Sequence, residues 1–121
     1  MQANGERFLE AYIEANKLIQ TGRPEMPLTI ANTFLAVVLW GDGDDKDPPC
    51  LLKLSQQLGM APQSMSRHVR YLSEWERRNV PGCGWISIEP HPQDARQRVA
   101  RLTRRGHLIA DRIRKVLADA R

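Results

Sequence analysis

The sequence predicts a small, mostly α-helical domain that carries one β-hairpin. Three observations lead to this fold class. Apolar residues recur at helical spacing in four segments of the first 76 residues, two strand-like segments joined by a turn follow, and a further amphipathic segment closes the chain. Because 121 residues suffice for one ordinary domain and not for two, we expect residues 1–121 to form a single domain.

The N-terminal third is predicted to hold two helices. An amphipathic helix is expected over residues 6–20, and Gly22 and Pro24 are typical signals for its end. Thr29 is a suitable N-cap for a second helix over residues 30–40, which is apolar on nearly every side. A helix of that kind is usually buried.

A polar loop with four aspartates follows at residues 41–47. It does not match a calcium-binding loop, since Lys46 stands at a ligand position, and we interpret it as a solvated turn. Asp47 and Pro48 are expected to cap and begin a third helix, which ends at Gly59. We predict no metal site.

The remaining elements complete a recognisable order. A fourth helix is expected from Pro62 to about Glu76, strands at residues 85–89 and 97–102 with a turn between them, and a last helix capped by Thr103. Three helices, a hairpin and a further helix are the order of a winged helix-turn-helix, to which we assign residues 28–102.

Charge is distributed unevenly along the chain. Residues 1–61 hold 5 basic and 8 acidic residues (net −3), whereas residues 62–121 hold 13 and 6 (net +7), and 12 of those 13 are arginine. The planar arginine fork suits phosphates and guanine edges. The basic half therefore favours nucleic-acid binding, although a basic face is also often only solvated surface.

Other classes of function find little support in the sequence. No nucleophile-and-base motif or glycine-rich phosphate loop is present, so we expect neither an enzyme nor a cofactor. No run approaches the roughly 18 apolar residues of a membrane span, and the N-terminus does not resemble a signal peptide, which together predict a cytoplasmic protein. Cys83, between two glycines, is either an inert turn residue or a redox-sensitive thiol.

From Leu54 to Gly106 the sequence resembles the MarR family of bacterial transcription factors. The segments that carry the resemblance are Leu54–Gly59, Ser64–Leu72, Gly84–Ile86, Pro92–Arg96 and Leu102–Gly106. Within them the wing motif Asp-x-Arg and the following Leu-Thr-x-x-Gly keep the family spacing. Four features depart from the family. His91 stands where the wing turn often has Asp, Ala61 replaces a capping Ser or Thr, and the connector over residues 77–84 is longer. One helix is expected after the wing, whereas the family commonly continues into a further C-terminal helix.

The resemblance implies a dimeric regulator of transcription, acting as a repressor on pseudo-palindromic double-stranded DNA near the bacterial nucleoid. It also implies a small-molecule effector, bound between the dimer helices and the DNA-binding module. Trp40, Tyr12 and Phe8 could line such a cleft, but we expect all three to pack in the core. A plasmid or phage assembly or partition protein and a protein-contact module remain alternatives.

Two groups of residues are the candidates for DNA contact. In the fourth helix, Gln63 suits adenine and Arg67 or Arg70 suits guanine in the major groove, whereas His68 is expected to pack. The serines can reach bases or phosphates, or stay solvated. The full set is Gln63, Ser64, Ser66, Arg67, Arg70, Asp94, Arg96 and Arg98.

The wing candidates act as a unit. Arg96 at the hairpin tip can enter the minor groove, where narrow A·T tracts concentrate negative potential. Asp94 can hold the guanidinium by a bidentate pair, and Arg98 can contact a phosphate; a plain surface ion pair is the alternative. Arg101, Arg104 and Arg105 are weaker phosphate candidates.

The two end helices, assigned to residues 6–21 and 103–121, carry more apolar surface than a small domain can cover. We expect them to form a two-fold dimer, with a packing of both stripes onto the chain's own core as the alternative. The residues predicted in this interface are Phe8, Tyr12, Ile19, Ile113, Val116 and Leu117.

Overall fold

A computed structural model of the chain describes residues 3–41 and 46–121. These residues form five α-helices, a π-helical turn and two antiparallel two-stranded sheets. The helices are α1 (Ala3–Ile19), α2 (Leu28–Ala36, continued by the π-helical turn Val37–Gly41), α3 (Leu51–Leu58), α4 (Pro62–Leu72) and α5 (Arg104–Ala118); the strands are β1 (Trp75–Arg77), β2 (Val80–Pro81), β3 (Ile86–His91) and β4 (Asp94–Leu102).

The core forms around α2, most of whose apolar residues from Ile30 to Val38 are buried, as predicted. The prediction is wrong at the end of the segment, where the α-helix gives way to the π-helical turn and Leu39 and Trp40 are exposed. Phe34 of α2 packs on the indole of Trp85, with the ring centroids 4.9 Å apart. Leu54 from α3 and Leu72 from α4 are fully buried in the same cluster. One aromatic pair and a surrounding shell of aliphatic side chains therefore hold the helices and the hairpin together.

Helices α3 and α4 form the predicted helix-turn-helix. Gly59 ends α3 with φ +68°, a left-handed conformation that favours glycine, and the Met60 N–H donates to the Ser55 carbonyl at 2.9 Å. Pro62 occupies the first position of α4, and Ala61 provides no side-chain cap. Met65 and Val69 are buried on the opposite side of α4 from its polar face.

Helix α4 ends at Leu72, four residues earlier than the sequence pattern predicts. The amides of Cys83 and Trp85 donate to the carbonyls of Tyr71 and Leu72, at 3.0 and 2.8 Å, and so satisfy the end of the helix. Gly82 allows this approach, because a Cβ there would overlap the Ser73 carbonyl oxygen. The connector instead forms the small β1–β2 hairpin, which the sequence did not predict.

Two predicted caps are wrong. Helix α2 begins at Leu28 after an extended Pro27, so that Thr29 lies inside the first turn. Helix α3 begins at Leu51 rather than at Pro48, and Asp47 does not cap it: its carboxylate lies 3.1 Å from Nε2 of His91. The aspartates at 42, 44 and 45, which belong to the predicted polar loop, lie outside the described residues.

The wing, defined as the β3–β4 hairpin over residues 86–102, is longer than predicted. Pairing runs from Ile86↔Leu102 to Pro90↔Arg98 and continues, after a shift of register, to His91↔Asp94. Only Pro92 and Gln93 form the turn. The predicted turn over residues 90–96 is therefore mostly strand.

Helices α1 and α5 pack against each other at the side of the core. Small side chains at Ala11 and Ala15 are buried there, and the Arg7 guanidinium donates to the Asp119 carbonyl at 3.0 Å. In the described part of the chain no helix is long and apolar enough to cross a membrane.

The start of α5 is joined to the base of the wing. As predicted, Thr103 caps α5, since its hydroxyl accepts the Gly106 N–H at 3.1 Å. The same hydroxyl donates to the Gly84 carbonyl at 2.7 Å. A Cβ on Gly106 would overlap the Trp85 carbonyl oxygen, which explains the glycine of the Leu-Thr-x-x-Gly motif.

Gly106→Ala is expected to lower the free energy of unfolding by about 1–3 kcal/mol, because the backbone oxygen of Trp85 must move. Urea denaturation measures this loss. Gly5→Ala is the matched control: it lies in α1 with no heavy atom within 4 Å of the new Cβ, and we expect no loss there. Equal stability of the two variants would contradict the close approach at Gly106.

Candidate nucleic-acid interface

The exposed face of α4 carries the residues predicted to read DNA. Gln63, Arg67 and Arg70 are exposed, whereas Ser64 and Ser66 are half-buried. The Arg70 guanidinium donates to the Ser66 hydroxyl at 2.7 Å, and that of Arg67 to the Ser64 hydroxyl at 3.4 Å. Both arginines thus lie along the helix towards its N-terminus, the end that enters a major groove in helix-turn-helix proteins.

His68 packs, as predicted, and joins α4 to α2. Its Nδ1 lies 2.9 Å from the Thr33 hydroxyl, which donates its own hydrogen to the Thr29 carbonyl at 3.1 Å. The hydroxyl must therefore accept from His68, which assigns the ring hydrogen to Nδ1. Burial, reinforced by the Arg67 charge, lowers the pKa of His68, so the ring is neutral at pH 7.

The wing holds Arg96 in a fixed, exposed position. Its Nε and Nη2 atoms donate to the Asp94 carboxylate at 3.0 and 3.2 Å, which is the predicted bidentate pair. The Arg96 amide donates to the same carboxylate at 3.1 Å. The Arg96 side chain is nevertheless 91% exposed, so its outer face is available to a ligand.

A further group of residues fixes the tip of the wing. The buried His91 accepts the Gln93 amide at Nδ1, at 3.0 Å, and its Nε2 lies 3.1 Å from the Asp47 carboxylate. The Gln93 side chain donates to the Lys46 carbonyl at 3.0 Å. Because Nδ1 accepts the Gln93 amide, a ring hydrogen lies on Nε2 and is donated to the Asp47 carboxylate.

The sequence analysis did not predict these contacts at the tip of the wing. The signal that could have indicated it is His91 itself, which stands where MarR proteins often have the first Asp of the wing turn. A histidine can accept the turn amide as an aspartate does, and it can also bind across to another loop.

The other basic residues of the wing and of α5 differ in position. Arg98 is exposed on β4 opposite Pro90. Arg101 is half-buried and directed inward, where it donates to the Gly41 carbonyl at 3.5 Å. Arg104 and Arg105 are exposed in the first turn of α5. Arg98 therefore adds to the exposed positive surface of Arg96, whereas the half-buried Arg101 adds less to it.

Two solved structures resemble the chain in fold. One is the transcriptional regulator Tm0710 of Thermotoga maritima: it is 18% identical, the match covers 92% of this chain and 67% of that one, and the TM-score is 0.64. The other is BpsR of Bordetella bronchiseptica, whose DNA binding is regulated by 6-hydroxynicotinic acid: it is 14% identical, the match covers 96% and 74% of the two chains, and the TM-score is 0.54. No family model matches the sequence, and the search of curated proteins gives no significant match.

The chain has the winged helix-turn-helix fold of these regulators. This confirms the predicted fold class and agrees with the resemblance of Leu54–Gly106 to the MarR family. At such identities the likeness concerns the fold. What the chain binds has to be argued from its own side chains.

The six residues expected in a dimer interface divide into two groups. Phe8 and Tyr12 are 50% and 52% exposed, Leu117 is also exposed, and Val116 is half-buried. Ile19 and Ile113 are each 4% exposed and lie in the chain's own core. The apolar surface left uncovered on α1 and α5 is therefore formed by Phe8, Leu9, Tyr12, Ile13, Leu108 and Leu117.

The expectation that Phe8, Tyr12 and Trp40 pack in the core is wrong. Trp40 is 43% exposed, and the other two rings are about half exposed. Alanines at 11 and 15 and Ile19 form the inward face of α1 instead. The two rings of α1 consequently lie on its outer face, and Trp40 lies at the end of the π-helical turn.

Cys83 has the features of an inert thiol. It is buried, and its sulfur lies against Gly22. Burial raises the pKa of Cys83, which keeps the thiol protonated and slow to react. Among the described residues, no cluster of His, Cys, Asp and Glu could hold a metal ion.

The Asp94–Arg96 pair gives a pH prediction. Hydrogen bonds from the Arg96 side chain and amide lower the pKa of Asp94 below its ordinary value of 3.8. The pair is therefore complete above that pH and is lost only as the pH falls through the lowered pKa. We expect a carboxyl NMR titration of Asp94 to have its midpoint below 3.8 in the wild type and at a higher pH in Arg96→Ala, which loses the side-chain hydrogen bonds and keeps that of the amide. Equal midpoints in both proteins would show that the pair does not form in solution.

Proposed function

We propose that the chain is a sequence-specific regulator of transcription of the MarR type, which binds double-stranded DNA as a homodimeric repressor. The observation that carries this proposal is the exposed Arg96 guanidinium, fixed by Asp94 at the tip of a wing beside an arginine-bearing recognition helix. The likeness to two transcriptional regulators supports this function and a role without catalysis. A protein of this kind acts where the bacterial chromosome lies, in the cytoplasm.

In this proposal α4 lies in the major groove. Gln63 can form a bidentate contact with adenine, and Arg67 or Arg70 with guanine. The serine hydroxyls keep the two guanidinium groups along the helix until a base edge replaces them. Both side chains then need little reorganisation, which favours affinity.

The wing contributes through the minor groove. A guanidinium that already has a fixed geometry loses little conformational entropy when it enters a narrow A·T tract. Asp94 occupies one edge of Arg96, and the opposite edge faces outward. Arg98 follows on the same strand and suits a neighbouring phosphate.

A second copy of the chain is the proposed partner of the apolar surface on α1 and α5. The exposed rings of Phe8 and Tyr12 on α1 and the exposed Leu117 on α5 are the kind of residues that dimer interfaces bury. A two-fold dimer would present two copies of α4 to half-sites about one helical turn apart.

Sedimentation at micromolar concentration tests the dimer. We expect the wild type to sediment as a dimer and Tyr12→Glu to shift towards the monomer, because a carboxylate in an apolar interface is costly to desolvate. Glu10→Gln on the same helix serves as the control. A wild-type monomer would contradict the dimer.

A small-molecule effector is a further part of the proposal. An apolar cavity of about 220 Å³ lies between the α2 segment and α5, lined by Leu35, Leu39, Ile113 and Leu117, with Arg114 at its edge. Its apolar walls and the Arg114 guanidinium suit a small aromatic carboxylate, the class of compound to which 6-hydroxynicotinic acid, the regulator of DNA binding by BpsR, belongs.

Selection of bound sequences from random duplex DNA at two salt concentrations tests the function directly. An enriched inverted repeat with half-sites about ten base pairs apart supports the dimeric regulator. Salt-sensitive binding without a motif would favour the assembly or partition protein. Absence of binding at low salt would leave a protein-contact module.

Arg96→Ala is expected to weaken binding to the selected duplex by roughly 1–3 kcal/mol, because the minor-groove contact is lost. Fluorescence anisotropy at constant salt measures the change. Arg112→Ala, an exposed position of α5, is the control with the same loss of charge. An affinity equal to that of the control would remove the wing from the mechanism.

A further inference from the structure

The β1–β2 hairpin carries two arginines that the proposed function does not use. We call residues 75–81 the connector hairpin. Arg77 ends β1 and Arg78 follows in the turn, where Asn79 has φ +62°. Both arginines are exposed, and neither side chain has a hydrogen-bond or ion-pair partner among residues 3–41 and 46–121.

The connector hairpin is firmly attached despite its small size. Arg23, from the turn after α1, forms an ion pair with Glu76 at 2.8 Å and donates to the Pro81 carbonyl at 2.7 Å. The guanidinium also lies over the ring of Tyr71 in α4, 4.1 Å from its centroid. One half-buried side chain therefore joins both strands of the hairpin to the end of α4.

This attachment places Arg77 beside the recognition helix. Arg67, Arg70, Glu76 and Arg77 line one cavity of about 210 Å³ between α4 and β1. The Glu76 carboxylate is already paired with Arg23. Three arginines thus line the cleft, and among the described residues that line it the one carboxylate, Glu76, already has a cationic partner.

Such a cleft has the chemistry of an oxyanion site. Arginine forks bind phosphate through parallel N–H···O bonds, and the serine hydroxyls that hold Arg67 and Arg70 leave their charges uncompensated. Arg78, at the adjacent turn, extends the positive surface away from the helix.

We infer that this cleft binds a backbone phosphate of the duplex beside the recognition helix, so that the connector hairpin acts as a second DNA-contacting hairpin. The inference rests on the proposed function, since it takes α4 to lie in the major groove. A phosphate contact positions the protein without reading sequence. The hairpin should therefore contribute affinity and salt dependence while leaving sequence preference to α4.

The test compares two variants with equal loss of charge, Arg77→Gln/Arg78→Gln and Arg112→Gln/Lys115→Gln, the latter at exposed positions of α5. Affinity for one duplex is measured by fluorescence anisotropy over a series of salt concentrations. Each lost phosphate contact reduces the slope of log K against log salt by about 0.9. A dimer with one contact in each protomer has two such contacts. We therefore expect the slope of the hairpin variant to be smaller in magnitude by about 2, and the slope of the control to be unchanged.

Further arms keep the outcomes distinct. If the wild type binds duplex DNA and the slope of the hairpin variant equals that of the control, the inference is overturned and the proposed function stands. If the wild type binds no DNA at low salt, both fail. If inorganic phosphate shifts the Arg77 NMR signals while the salt slope of the hairpin variant equals that of the control, the cleft binds a free anion and not a phosphate of the duplex. This result also overturns the inference. Thermal unfolding shows whether the double variant is folded. If it is not, the single variants Arg77→Gln and Arg78→Gln replace it in the same salt series.

Discussion

The backbone and ring of Trp85 are the point on which the rest of the structure depends. Its amide donates to the Leu72 carbonyl at 2.8 Å, and its carbonyl accepts the Thr103 amide at 3.0 Å. Its ring is buried against Phe34 of α2. A single residue thus connects the end of the recognition helix, the first strand of the wing and the start of α5. The positions of these three elements relative to one another follow from hydrogen bonds of a buried residue, which are stronger than they would be in water.

This constraint gives the DNA-binding surface its shape. With the base of the wing fixed at Trp85 and its tip fixed by His91 and Asp47, the hairpin is supported at both ends. The exposed guanidinium groups of α4 and the wing are then held at a defined separation. Such preorganisation reduces the conformational entropy lost on binding, which matters most for long, flexible arginine side chains.

The sequence predicted several features that depend on local chemistry, although the caps expected at Thr29 and Asp47 are absent. The cap at Thr103, the end of α3 at Gly59 and the faces of α4 follow from residue type and spacing, and all are present. The end of α4 could not be predicted, because it depends on amides that arrive from residues 83 and 85 after a close approach at Gly82. The connector hairpin likewise depends on Arg23, more than fifty residues away in sequence. The residues predicted in the dimer interface divide into buried and exposed groups for a similar reason. Periodicity identifies an apolar stripe, but tertiary packing decides which part of that stripe the chain itself covers.

The most direct test is an NMR titration in which the selected duplex is added to the ¹⁵N-labelled protein. The signals observed are those of the backbone amides and the arginine Nε–H groups. We expect the largest shifts on the N-terminal turns of α4 and on Arg96 at the tip of the wing, with residues of the buried core little changed. Shifts confined to the apolar faces of α1 and α5, with α4 and the wing unaffected, would contradict the claim that these two elements form the DNA-binding surface.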